Sequence, residues 1–256
     1  MHPSRTSQIV ALVRARLDRP HTPLGDPDAQ RQLCTGMMPI HASYAWSDIV
    51  ARTRFFDEQV LKAISAGIKQ IVICGAGYDD RALRFRTPGV KFFELDHPAT
   101  QDDKARRLLE MGADTNGLAL IPADFRHDDS AELLRQSGLD ANQATLFACE
   151  GLLVYLDEQT DSRLLAAIQS VASPESMLAA SLAFGPEGLN RRQAVAYANS
   201  RRRTGQMEPW LTVLSVSDYS VFFNSAGWRL DYITEAGGKS IGMLLITART
   251  KYQPSA

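Results

Sequence analysis

The sequence predicts an α/β domain with a doubly wound, mostly parallel sheet of seven strands. Two observations carry this. Short apolar runs alternate with amphipathic stretches at the interval of β-α-β units. The last two runs follow one another across a glycine-containing turn, as an antiparallel hairpin closing the sheet would.

No internal repeat or low-complexity linker interrupts the 256 residues, so one domain is expected. Its parts are an N-terminal helical lid (1–66), a cofactor-binding core (67–184), a helical insertion capping the substrate (185–215) and the C-terminal strands (216–256).

Within residues 7–17, Ile9, Val10, Val13 and Leu17 stand at helical spacing. Pro20, Pro23, Gly25 and Pro27 then break the chain, and helical stretches follow over 28–34 and 46–65. Gly67 ends the second of these, and QIVIC (70–74) reads as a short buried strand. Past a glycine turn come a short helix (80–85), a strand (91–95) and a helix (100–111). A strand (119–122), a helix (131–137) and a strand (145–148) continue the alternation. An amphipathic helix (157–172) and a strand (176–183) complete it. The closing strands are 228–234 and 243–250, joined around Gly237 and Gly238. Residues 185–215, rich in Arg and Asn, interrupt the pattern over the carboxyl ends of the strands, where open α/β sheets bind ligands.

A formal net charge of −1, with both signs mixed along the chain, argues against a nucleic-acid binder. Three widely spaced cysteines without a C-x-x-C pair predict neither a disulfide framework nor a cysteine zinc site. Five histidines without H-E-x-x-H give a metal site no support. No apolar run approaches the roughly 20 residues of a membrane span. The N-terminus MHPSRTSQ lacks a signal-peptide apolar region, so a soluble cytoplasmic protein is expected.

The chemistry concentrates at four strand ends. In QIVICGAGYDDR (70–81) a buried strand runs into Gly75, Ala76 and Gly77, which lets backbone approach a ligand. A dinucleotide fingerprint wants a third glycine where Asp80 stands, and a carboxylate there would repel a pyrophosphate. A phosphate-free nucleoside such as S-adenosylmethionine (SAM) escapes that objection, whereas a nicotinamide dinucleotide does not. FFELDHP (92–98) ends the second strand about 20 residues on, where an acid accepts ribose hydroxyls. Asp96 is the first choice and Glu94 the second, since alternation puts both on one face. PADFRHD (122–128) offers Asp124 to an exocyclic amine and Phe125 to flank a base. ACEGLLVYL (148–156) projects Glu150 toward the reactive part of a cofactor, with Tyr155 beside the route of the transferred group.

Together with PSRTSQIVALVRARL (3–17), ARTRFFDEQV (51–60) and AGWRL (226–230), these motifs resemble the leucine carboxyl methyltransferase superfamily. The similarity is greatest to its bacterial branch of polyketide and secondary-metabolite O-methyltransferases. It covers most of the chain and is weakest over 185–215. The resemblance implies the Rossmann-like fold of class I SAM-dependent methyltransferases. It also implies that Arg52 binds the SAM carboxylate, Gly75 the methionine part, Asp96 the ribose, Asp124 and Phe125 the adenine, and Glu150 the amino end. The family commonly has Thr where Asp80 stands and Leu where Phe125 stands. Ordinary class I enzymes carry an acid where Ile73 stands, which leaves Arg52 and Glu150 as the expected anchors.

His97, His127 and Tyr155 are the candidate proton acceptors. Tyr44, Tyr197 and Trp210 are candidates for an aromatic substrate pocket, and Arg203, within the run Arg201 to Arg203, for an anionic substrate group, with Arg191 or Arg192 beside it. The expected reaction is methyl transfer to a carboxylate or hydroxyl of a small aromatic or polyketide-like metabolite. Its rivals are a non-catalytic SAM-binding protein on the same scaffold and an NAD-type oxidoreductase.

Overall fold

The computed structural model describes residues 3–38, 46–201, 208–236 and 242–251. Seven strands form one sheet: β1 (Gln70–Cys74), β2 (Lys91–Asp96), β3 (Leu118–Pro122), β4 (Thr145–Cys149), β5 (Met177–Phe184), β6 (Trp228–Ala236) and β7 (Gly242–Thr250). Their order is β3-β2-β1-β4-β5-β7-β6. The first five are parallel, whereas β7 runs antiparallel between β5 and β6. The closing hairpin is therefore present, with its outer strand β6 at the sheet edge. The turn at Gly237 and Gly238 lies outside the described residues.

Nine helices flank the sheet among the described residues: α1 (Arg5–Arg14), α2 (Ala29–Leu33), α3 (Trp46–Ser65), α4 (Arg81–Arg84), α5 (Pro98–Glu110), α6 (Ser130–Gln136), α7 (Glu158–Ser170), α8 (Arg191–Arg201) and α9 (Val216–Ser225). The first starts four residues before its apolar stripe, because the Ser4 side chain accepts the Ser7 N–H and caps it. Helix α9, with Val216, Tyr219, Phe222 and Phe223 at helical spacing and Ser215 as its cap, is an element that the sequence reading passed over, and the 3₁₀ turn Leu153–Tyr155 is too short to show a period.

Strands β1 and β4 are buried at every residue, as central parallel strands covered on both faces must be. Alternation sends Val72, Cys74, Phe147 and Cys149 to one face, against Leu164, Leu165 and Trp228. It sends Ile71, Ile73, Leu146 and Ala148 to the other, against Phe55, Phe56 and Val60 of α3. Trp228 is fully buried, edge-on to Phe147 at 6.0 Å, and donates its indole N–H to the Leu165 carbonyl at 3.0 Å. All three cysteines are buried and unbridged. Among the described residues no helix is long and apolar enough to cross a membrane.

Packing leaves the carboxyl ends of β1, β2, β3 and β4 side by side. They lie under α1 and the segment that follows it, which also pack on α3 and on the turn after β1.

Candidate active site

The turn after β1 is built for close approach. Gly75 and Gly77 have φ of +69° and +54°, where a side chain is disfavoured. A Cβ at Gly75 would lie 2.9 Å from the Leu152 side chain, and one at Gly77 would lie 2.8 Å from Cβ of Ser7. The N–H groups of Gly75 and Ala76 both donate to the Leu95 carbonyl, at 2.8 and 3.1 Å. That pins the turn to the end of β2 and uses the Ala76 N–H within the protein. The Gly77 N–H donates to Asp96 Oδ2 at 2.7 Å, and the His97 N–H to Oδ1 at 2.7 Å.

The two acids of β2 share a face but not a depth. Asp96 is half-buried at the strand end. Glu94 is fully buried and its carboxylate is paired with Lys104, which also donates to the Asp79 carbonyl at 2.7 Å. Burial pushes the Glu94 carboxyl up to about 7 against the pull of Lys104. Glu94 is thus withdrawn from a ligand, a correction to its candidacy, because its carboxylate is buried and taken by Lys104, whereas Asp96 is half-buried at the strand end.

Beside the turn lies a buried ionic network. Glu150 accepts from Arg14 at 2.7 Å, from Arg81 at 2.7 Å and from Arg52 at 3.0 Å. Burial alone would raise its carboxyl, but the three guanidiniums hold it well below the usual carboxylate range. Arg81 also pairs with Asp79 at 2.5 Å and Asp57 at 2.7 Å, and Arg14 with Asp79 at 3.1 Å. Arg19 bridges Asp57 at 2.8 Å and Asp80 at 2.6 Å, and Arg84 pairs with Asp80 at 2.7 Å. Five guanidiniums (Arg14, Arg19, Arg52, Arg81, Arg84) thus meet four carboxylates (Asp57, Asp79, Asp80, Glu150), and Nε of Arg14 is buried without a partner. The network is short of one anion, next to the glycine turn.

Asp80 corrects one sequence argument. It is fully buried between Arg19 and Arg84, which outweigh its burial and hold its carboxyl at about 2. It caps no anion position and repels nothing in the cleft. The case against a dinucleotide rests instead on the strand order.

A cleft of about 540 Å³ opens at the ends of β2 and β3, lined by His97, Pro98, Ala99, Asp102 and Asp124. Asp124 is held by its turn: its N–H donates to Asp128 at 2.8 Å and its Oδ1 accepts the Arg126 N–H at 3.0 Å. Phe125 packs partly buried against the core beside it. His97 caps α5, its Nδ1 accepting the Ala99 N–H at 3.3 Å. His127 is exposed on the turn after β3. Neither histidine follows β4, where Glu150 and Tyr155 sit, so the structure does not join them to that end of the site.

Tyr155 and Trp210 pack against one small cluster with Val154, Ala183 and Ala198. Asn199 fixes Trp210 through its backbone, accepting the N–H at 3.0 Å and donating to the carbonyl at 2.9 Å. Tyr197 is exposed on α8. Arg191 is tied on the surface to Glu158 at 3.0 Å and Asp218 at 2.7 Å, a correction to its reading as a substrate cation. Tyr44 and Arg203 lie outside the described residues.

These groups fit a zwitterionic nucleoside. Asp96 presents an acceptor at the β2 end, Asp124 another at the β3 end, and the anion-deficient cluster of Arg14, Arg52 and Arg81 suits a free carboxylate. Arg14 and Arg81 carry no motif signature, so sequence reasoning passed over them. The only hint is that both stand inside segments, 3–17 and 70–81, that resemble the family.

The leucine carboxyl methyltransferase family matches residues 7–169. A Mycolicibacterium paratuberculosis protein, provisionally named an S-adenosyl-L-methionine-dependent methyltransferase, is 37% identical over 180 residues, covering 68% of this chain and 56% of its own length. A Mycobacterium bovis protein of the same provisional name is 30% identical over 265 residues, covering 92% of this chain and 75% of its own. The chain therefore spans just over half of the first relative and three quarters of the second. In fold, a provisionally named methyltransferase from Thermobifida fusca superposes with a TM-score of 0.62 at 17% identity, over 98% of this chain and 96% of that one.

Proposed function

The chain belongs to the leucine carboxyl methyltransferase family of SAM-dependent methyltransferases, and on that premise we propose that it methylates a carboxylate or hydroxyl oxygen of a small aromatic or polyketide-like metabolite. One observation carries the assignment of the acceptor side: Tyr155, in the 3₁₀ turn after β4, and Trp210, on the cap, pack against one cluster, adjoining the turn that holds Glu150.

In this reading Asp96 accepts from the ribose, Asp124 and Phe125 hold the adenine, Gly75 offers backbone to the methionine part, and Arg52 with Arg14 receives the carboxylate. Glu150 keeps one acceptor position on Oε1 for the ammonium, since its other oxygen already takes two guanidiniums. When bound, SAM supplies a methyl on a positive sulfur, which an oxygen nucleophile displaces in line. The protein's contribution is then alignment and exclusion of water, made by α1, by residues 1–66 more widely and by the cap 185–215. A carboxylate acceptor arrives ionised and needs no base. A phenol gains from one, and Tyr155 is the candidate on the correct side of the sheet. The case for a carboxylate is that no stronger base stands beside Glu150 among the described residues.

The test is methyl transfer from labelled SAM to a panel of aromatic acids and phenols, with products sorted by alkali. Esters are cleaved and ethers survive. Tyr155→Phe should leave ester formation intact and slow ether formation. Binding of SAM without transfer to either class would instead mark a non-catalytic SAM-binding protein.

A further inference from the structure

Arg81 is the most heavily engaged side chain of the network, yet it is fully buried behind the groups assigned to the cofactor. Its three nitrogens point three ways. Nε donates to Asp57 at 2.7 Å, one terminal nitrogen donates to both Asp79 (2.5 Å) and Glu150 (2.7 Å), and the other donates to the Thr53 carbonyl at 3.2 Å. Its own N–H donates to Asp79 Oδ1 at 2.8 Å. Asp79 and Glu150 are also the two acids that hold Arg14, and Glu150 holds Arg52. On the far side, Asp57 connects Arg81 to Arg19, in the segment following α1.

We propose that Arg81 is a positioning residue for the amino-acid half of the cofactor: its fork sets Asp79 and Glu150 so that Arg14 and Arg52 stand with one unbalanced positive charge toward the ligand carboxylate. The inference rests on the cofactor placement proposed above. A planar guanidinium is required because four acceptors in three directions must be reached from one buried site, and an ammonium offers its donors from a single point. Arg81 touches no ligand in this arrangement, so its loss acts only through Arg14, Arg52 and Glu150. The adenosine half, held by Asp96 and Asp124 at the ends of β2 and β3, is independent of it.

Calorimetric titration with two probes tests this. S-adenosylhomocysteine carries the amino-acid group, and 5′-methylthioadenosine has the same nucleoside and thioether without it. For Arg81→Lys, affinity for S-adenosylhomocysteine should fall at least about tenfold, the scale of one charge-assisted contact, while affinity for methylthioadenosine stays near wild type. Equal weakening of both probes would show a merely structural arginine and overturn the proposal, as would unchanged binding of both. If Arg81→Lys does not fold, Asp57→Asn decides by the same criterion, since it releases the rear of the fork and leaves the ligand side intact. Wild type that bound neither probe would refute the cofactor placement itself, and this inference with it. Wild type that bound both, with no difference between them in the variants, would refute this inference alone.

Discussion

Asp96 and Gly77 are joined by a 2.7 Å hydrogen bond from the glycine N–H to the carboxylate, so the acid at the end of β2 is oriented by the turn at the end of β1. The His97 N–H holds the other oxygen at 2.7 Å. The carboxylate is thus preorganised by backbone N–H groups on both of its oxygens.

Asp96→Ala should therefore weaken SAM binding by about 1–3 kcal/mol, the usual loss of a buried polar partner. Glu94→Gln, behind it, should change affinity far less. Calorimetric titration of both variants checks the ordering, and a larger loss for Glu94→Gln would reverse the assignment.

Gly77→Ala meets two penalties. The φ of +54° disfavours a side chain by roughly 1–2 kcal/mol, and the new Cβ would press on Ser7 at 2.8 Å. Gly89→Ala is the control, with φ of +77° and nothing within 4 Å of the added carbon. Gly77→Ala should lower both Tm and SAM affinity beyond the control, because α1 must lift from the turn. Equal Tm losses and full cofactor affinity would place Ser7 outside the site.

Asp80→Asn should destabilise the protein by about 3 kcal/mol or more, since it strips two buried guanidiniums of a partner. Its carboxyl is held at about 2, below its ordinary 3.8, so its contribution is complete above about pH 4 and is lost as the pH falls through 2. Denaturant melts at neutral pH and below pH 3 should show the gap between wild type and variant closing in acid. SAM affinity should fall far less than stability, because Asp80 pairs with Arg19 and Arg84 and not with Arg14 or Arg52.

Glu94 works in the opposite sense. Its folded carboxyl titrates at about 7 against 4.5 ordinarily. Between those values the folded protein keeps a proton that the unfolded chain has released. The resulting stability is present below about pH 4.5 and is lost as the pH rises through 7, a change on the order of 3 kcal/mol. The stability of wild type relative to Glu94→Gln should decline across that interval. A pH-independent difference would show that Lys104 keeps Glu94 ionised throughout.

What the chain's own order of residues determined is its architecture. Six of the seven strands were legible as short apolar runs, which report burial wherever they land, whereas the mostly exposed β6, WRLDYITEA, was legible only beside the turn that pairs it with the last run. The bounds of β1 emerged unchanged from QIVIC, and those of α3 from the stripe between Trp46 and Ser65. Gly75, Gly77 and Asp96 were legible for a related reason: close approach and a strand-end acid leave local marks. The depth of Glu94 and Asp96 was not legible, since alternation gives a face and not a distance along the cleft.

Only the tertiary structure decided the charges. Arg14, Arg19, Asp57, Arg81 and Glu150 come from α1, the segment after it, α3, α4 and the end of β4, and the sequence cannot say which cation meets which acid. Asp80 read as an intruder in the cleft and proved to be the buried partner of Arg19 and Arg84. Apolar burial is non-directional and depends on a residue's kind, whereas an ion pair depends on two side chains arriving within about 3 Å. The first is written along the chain, and the second exists only once the chain has folded.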